Sequence, residues 1–363
     1  MLIKEITNAI EAVAPLYLQE SWDNSGMQVG SADNEVTGVL LCTDVREEIL
    51  EEAIERGANL IISHHPLLFR GLKKIVGRTY QERIVARAIK NDITIYCAHT
   101  NMDSAVGGVN FKMAEKIGLK NVRVLSRQQN TQLKIVVFVP NEAALQVERA
   151  MCDAGAGRLG NYDNCSYNMS GEGHYRPLDG AEPWAGTVGT IHKEPEIRLE
   201  VLVNKAICSR VVAAMLKAHP YEEPAFDIIS LENEDKYAGL GVIGDIEPQD
   251  ARHFLERVKE AFEVETMRYS GNLDRTVSCI ALCGGAGVEF AGLAMSQGAD
   301  VYITGDMKYH DFQGNEERII LADIGHYESE HYTKEIFYDI IRKKNPNFAV
   351  DFAQSESNQV NYL

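Results

Sequence analysis

Four short apolar runs in this chain each lead straight into residues able to hold a metal ion, and this pattern restricts the fold more than any other feature. NLIIS (59–63) runs into His64, His65 and Pro66, and TIYCA (94–98) runs into HTNMD, with His99 and Asp103. DVYIT (300–304) runs into GDMKYHD, with Asp306, His310 and Asp311, and RIILADIG (318–325) runs into HYESE, with His326 and Glu330. Runs this short, separated by segments of helical period such as REEILEEAIERG (46–57) and YQERIVARAIKND (80–92), read as buried strands of βαβ units. GVLLCTD (38–44) is a further run of the same kind. The expected fold is α/β, with a mainly parallel sheet covered on both faces. In such sheets ligands bind beyond the carboxyl ends of the strands, so the four loaded strand ends converge on one rim.

The character of the chain changes twice. SRQQNTQ (126–132) and ENEDKYAG (232–239) are polar and linker-like. Between them lie a strand LKIVVFVP (133–140), a helix (141–155) and a Gly-, Asn- and Ser-rich stretch (156–186). A strand IRLEVLVN (197–204), a helix (206–218) and a strand FDIISL (226–231) follow. That order is the order of a ferredoxin-like α+β unit. The expected organisation is therefore a split α/β domain, 1–125 plus 239–363, interrupted by an α+β insert at 126–238.

The spacings make sense as coordination chemistry. His326 and Glu330 stand four apart at the start of a helix and share one face. His64 and His65 are adjacent at a strand exit, so their side chains diverge and suit two neighbouring ions better than one. Asp103 and Glu330 supply anionic oxygens that bridge or terminate a pair of cations. Imidazole with carboxylate favours Zn²⁺, Fe²⁺ or Mn²⁺ over the all-oxygen shells of Mg²⁺ and Ca²⁺. Each feature alone has a plainer reading: a lone H-x-x-x-E is more often a solvated helix pair, and Asp103 is an ordinary N-cap type. Their recurrence at matching strand ends favours two divalent ions held by His64, His65, Asp103, His326 and Glu330. His310 and Asp306 read either as groups orienting ligands or as rim residues. GGAG (284–287) lacks the rest of a dinucleotide or P-loop signature and reads as a tight turn.

Charge narrows the partners. With 53 acidic against 36 basic residues the formal charge is −17, which repels a phosphate backbone and argues against general nucleic-acid binding. The N-terminal stretch has the helical spacing of Leu2, Ile3, Ile6, Ile10 and Val13 rather than the form of a signal peptide. No apolar run approaches the roughly 20 residues that cross a bilayer. Seven scattered cysteines without a C-x-x-C pair read as reduced core thiols. The expected location is the cytoplasm, with no membrane association.

The motifs SWDNSGMQVG (21–30), SHHPLLF (63–69), AHTNMDSAVGGVN (98–110), TGDMKYHD (304–311) and DIGHYESE (323–330) resemble the Nif-three-like family, whose bacterial members are often labelled GTP cyclohydrolase 1 type 2 homologs. The resemblance runs in order over essentially the whole chain. HPYEEPAFDI (219–228) is similar to the signature of its longer members, whose middle domain resembles CutA and PII-type folds. The resemblance implies a dinuclear site on His64, His65, Asp103, His326 and Glu330, with Glu330 as the bridge. It also implies a ring-shaped homo-oligomer, commonly a hexamer. Asp306 stands where many relatives carry Glu.

Two functions are compatible with these residues. One is a metal-dependent hydrolase of a nucleotide-like or phosphorylated small molecule, with His99 or His310 as general acid and base. The other is a non-catalytic metal-binding scaffold or metal-handling protein whose insert recognises a partner.

Overall fold

The buried strands form because their residues are apolar on both faces. Val39–Cys42, Leu60–Ser63, Thr94–Cys97, Val301–Thr304 and Ile320–Asp323 are each buried at every position. Such continuous burial belongs to sheets covered on both sides. The computed structural model describes residues 1–129 and 131–361 and divides into two units, 1–127 with 236–363, and 128–235.

The larger unit holds two sheets, where a single mainly parallel sheet was expected. The first has the order Gly26–Val29, Thr94–Cys97, Leu60–Ser63, Val39–Cys42, Val350–Phe352, with only Gly26–Val29 antiparallel to its neighbour. The second has the order Arg268–Ser270, Ile320–Asp323, Val301–Thr304, Thr276–Leu282, Asp235–Asp250, Lys120–Gln128. Its three central strands run parallel, while Arg268–Ser270 and Asp235–Asp250 pair antiparallel to theirs. The strands Lys120–Gln128 and Asp235–Asp250 reach into the two polar stretches read as linkers. Polarity misleads there because ladder hydrogen bonds, not burial, hold strand ends. One core joins the sheets: Leu41, Ile62 and Tyr96 from the first cluster with Val242, Ile280 and Ile303 from the second. Each such side chain contributes roughly 1.5–3 kcal/mol by leaving water. The helix Ile3–Val13 buries Ile3, Ile6 and Ile10 against the same core.

Helix boundaries follow local chemistry. Glu47–Arg56 ends at Gly57, whose φ of 67° few other residues adopt. Tyr80–Lys90 starts at Thr79, whose hydroxyl accepts from the Glu82 amide. The last helix is not continuous: His326–Glu330 forms one short turn and Thr333–Lys344 the long segment. Among the described residues no helix is long and apolar enough to cross a membrane.

The smaller unit is an antiparallel sheet in the order Ser166–Tyr175, His192–Asn204, Gln132–Pro140, Phe226–Ser230. Helices Ala144–Asp153 and Cys208–Ala218 share a core with it through Val147, Met151, Val211 and Met215. Ser166–Tyr175 lies in the Gly- and Asn-rich stretch that carried no strand signal. Its residues are mostly exposed, and a ten-residue ladder with His192–Asn204 supports it.

Candidate metal centre

The parallel ladder of the first sheet carries His64 and His65 to the rim. The His64 amide donates to Cys42 O at 3.2 Å and the His65 amide to Thr43 O at 2.9 Å. Successive side chains on extended backbone point to opposite sides. His64 is fully buried, and His65 turns outward to a cleft. From the neighbouring strand the chain passes through His99 into the short helix Thr100–Ser104, which holds Asp103 inside. On the second sheet, Gly325 (φ 90°) turns the chain into the helix His326–Glu330, and Ser329 Oγ donates to His326 O at 2.7 Å.

These elements bring the six side chains His64, His65, His99, Asp103, His326 and Glu330 together in three overlapping groups able to hold metal. The groups are His64, Asp103 and Glu330; His65, His326 and Glu330; and His64, His65 and His99. Glu330 straddles the first two. Its Oε1 lies 3.7 Å from His64 Nε2, and its Oε2 lies 2.8 Å from His65 Nε2 and 3.0 Å from His326 Nε2. His64 Nε2 is also 3.6 Å from Asp103 Oδ1.

The four rings are oriented alike. Nδ1 of His64 donates to Ala98 O (3.0 Å), while Nδ1 of His65, His99 and His326 faces Asp44 (2.9 Å), Asp23 (2.8 Å) and Asp306 (2.8 Å). Each ring therefore presents Nε2 to the cluster, the arrangement that outer carboxylates and carbonyls impose on metal-binding histidines. At the inner group this leaves a deficit: His64 Nε2 and Asp103 Oδ1 are buried with no hydrogen-bond partner. The Ala98 carbonyl only accepts, so Nδ1 carries a hydrogen and Nε2 is the ring atom turned towards the two carboxylates. Buried polar atoms left without partners beside a second carboxylate form an expensive arrangement that a cation satisfies.

Electrostatics points the same way. Burial, then the charge of Glu330, pushes the Asp103 carboxyl up to about 8. Burial works against a charged ring at His65, yet its hydrogen bonds to Asp44 and Glu330 hold it well above the ordinary histidine value. His326, opposed by burial but bonded to Glu330, rises to about 9. Burial likewise opposes ionised Glu330, and the imidazoles around it, His64 first, carry it well below the carboxylate range. Without metal, protons on His65 and His326 thus stand where cations fit. Their Nε2 atoms are 3.4 Å apart, and like charges so close repel.

Outside the cluster, Asn110 ties two segments together: Nδ2 donates to Asp103 O and Oδ1 accepts from the Gly284 amide. Gly285 has φ 62°, and a Cβ there would fall 2.3 Å from Glu330 Oε1. GGAG is thus more than a tight turn, since it makes room for a carboxylate. A cleft of about 900 Å³ opens onto His65 and His326, lined also by Arg46, Tyr80, Arg268 and Tyr327. Arg268 pairs with Asp323, and Arg46 donates to the carbonyls of Ser355 and Ser357.

His310 is not among the grouped residues. The carboxylate of Asp306 (φ 54°) reaches His326, whereas His310 lies on the turn Tyr309–Phe312, where its ring meets Tyr309 edge-on at 5.3 Å. Asp23 and Asp44 escaped the reading of the sequence as site residues. Asp44 follows a buried strand, as the other site residues do, and that position was the available signal.

The comparisons agree over the whole chain. A family model described as Duf34/NIF3 (NGG1p interacting factor 3) matches residues 1–360. A Halalkalibacterium halodurans protein named GTP cyclohydrolase 1 type 2 homolog is 42% identical over 307 residues, spanning 84% of this chain and 82% of its own. A Bacillus subtilis protein of the same name is 35% identical over 343 residues, spanning 94% and 91%. Among solved structures, a Bacillus cereus protein related to NIF3 is similar at a TM-score of 0.83 and 36% identity, covering 100% of this chain and 99% of its own.

Proposed function

The chain belongs to the Duf34/NIF3 family, and from that premise we propose that its rim holds two divalent metal ions and that the loaded chain hydrolyses a nucleotide-like or otherwise phosphorylated small molecule. The observation that carries the metal reading is the burial of His64 Nε2 and Asp103 Oδ1 without a hydrogen-bond partner, 3.6 Å apart, with Glu330 Oε1 3.7 Å from the same ring nitrogen. His64, Asp103 and Glu330 would hold one ion, and His65, His326 and Glu330 the other, with Glu330 shared. Mixed imidazole and carboxylate donors suit zinc, iron or manganese. When bound, such ions supply Lewis acidity towards water and the attacked group.

The chain's own residues supply the rest. Tyr80 and Tyr327 give the cleft flat walls, which suits a ring-bearing substrate. Asp44, Glu47, Glu48, Asp306, Asp323 and Glu328 outnumber Arg46 and Arg268 along it, so an anionic group would be met by the bound cations rather than by the walls. His99, its Nδ1 fixed by Asp23, is assigned proton transfer at Nε2. The relatives' name supports a nucleotide substrate class. The order of strands and helices in residues 128–235 supports a ferredoxin-like unit, and a homo-oligomeric ring follows from the family resemblance.

The test is turnover of nucleoside triphosphates and phosphomonoesters by protein reconstituted with each metal, beside Glu330→Ala. Hydrolysis by the loaded chain and none by the variant is expected. Stoichiometric metal without turnover of any of these would replace the hydrolase by the metal-handling reading.

A further inference from the structure

We propose that the unit of residues 128–235 carries a separate binding site for a small organic cation with a flat face, in the cavity between its sheet and the 176–191 loop. The cavity measures about 900 Å³, within the size of small-molecule sites. Its floor is the sheet face bearing Phe138, Arg198 and Glu196, and Trp184 of the loop contributes to its wall. The loop is tied down by its own bonds: Tyr175 Oη donates to Ala185 O at 3.0 Å and the Gly189 amide to Pro177 O at 2.8 Å.

The chemistry of the ligand follows from Glu196. This side chain is 8% exposed, accepts from Tyr221 Oη at 2.8 Å, and forms no ion pair among the described residues. A Cβ at residue 173 would come within 2.2 Å of Glu196 Oε2, so the bare backbone of Gly173 gives the carboxylate its room. A buried carboxylate without a cation is costly, and its open side is the cavity. The rings of Tyr175 and Tyr221 stand edge to face beside it, 5.9 Å between centroids, and aromatic faces attract cations. Four carboxylates line the space (Glu172, Glu196, Glu222, Glu223) against Arg176 and Arg198. Arg198 is already engaged by Glu200 at 2.9 Å and Glu172 by Lys193 at 3.2 Å, which leaves Glu196, Glu222 and Glu223 against Arg176. An anion meets an acidic excess here; an amidinium, guanidinium or ammonium group on a planar body meets a counter-charge and stacking surfaces together.

The experiment is calorimetric titration of the full metal-loaded chain with benzamidine, neutral benzamide and benzoate. Saturable benzamidine binding is expected, at least roughly tenfold tighter than benzamide, with no benzoate binding. Glu196→Gln should remove that preference, and Trp184→Ala, at a half-exposed position, should weaken benzamidine severalfold. Glu330→Ala should leave it unchanged, which separates this site from the metal rim. Equal binding of benzamidine and benzamide, no saturation at millimolar probe, or undiminished preference in folded Glu196→Gln overturns the proposal. If circular dichroism shows Glu196→Gln unfolded, the three-probe series on the parent chain and on Trp184→Ala decides.

Discussion

Two buried histidines in this molecule sit at strand-proximal positions and differ in what they ask of their surroundings. His219, in the smaller unit, uses both ring nitrogens internally: Nε2 donates to Phe138 O and Nδ1 accepts from the Tyr221 amide, each at 3.0 Å. Burial keeps it neutral by lowering its pKa. His64, in the larger unit, is anchored at Nδ1 in the same way but leaves Nε2 without a partner, facing Asp103 and Glu330. Equal burial thus hides opposite chemistry. A histidine whose second nitrogen is satisfied is complete as a core residue; one whose second nitrogen is left unpartnered beside carboxylates is available to a cation.

The sharpest way to break this comparison is to replace each ring with Leu. His64→Leu should lower metal affinity by more than the roughly 10–100-fold that loss of an outer partner costs, as read by competition with a chelator. It should leave the metal-free protein no less stable in urea, because an unsatisfied polar group is removed. His219→Leu should do the reverse: metal content unchanged, stability lower by about 1–3 kcal/mol, with Phe138 O and the Tyr221 amide left unpaired. A stability loss of that size in metal-free His64→Leu would erase the distinction.

Next in size are the carboxylates that aim the rings. Asp44→Asn should weaken metal binding about 10–100-fold by loosening His65, an effect measured by the same competition. His99→Asn should retain both ions and lose turnover; loss of an ion instead would make His99 a ligand.

The metal-free rim also sets a pH dependence. His326, raised to about 9, contributes stability that is complete below its unfolded value and is lost as pH climbs through 9. Asp103, raised to about 8, likewise costs stability on ionising. The metal-free chain should therefore lose Tm between pH 7 and 9, and the Tm gained on adding metal should grow over that range. A gain that shrinks as pH rises would contradict the exchange of protons for cations.

The smallest effect is steric. Gly285→Ala adds a methyl 2.3 Å from Glu330 Oε1 at a residue with φ 62°. A stability loss of about 1–2 kcal/mol is expected from the left-handed backbone alone, together with weaker metal retention in the folded variant.

What the sequence made legible was the repeated event, an apolar strand ending in His, Asp or Glu, because strand direction and side-chain chemistry are both local properties. Hence His64, His65, Asp103, His326 and Glu330 could be named before their distances were known. Asp23 and Asp44 were harder to see: their role lies in reaching His99 and His65 across 76 and 21 positions of chain. The two-sheet form of the larger unit was missed for a similar reason. Long-range pairing of Asp235–Asp250 with Thr276–Leu282 shows little in polar, weakly patterned residues. His310 lies outside the grouped residues, on the turn Tyr309–Phe312.

The most direct test of the central claim is elemental analysis of the purified full chain by mass spectrometry, beside a His65→Ala, Glu330→Ala double variant. About two zinc, iron or manganese ions per parent chain are predicted, lost in a variant that still folds. A parent chain that holds no metal after reconstitution with each of the three would contradict the account.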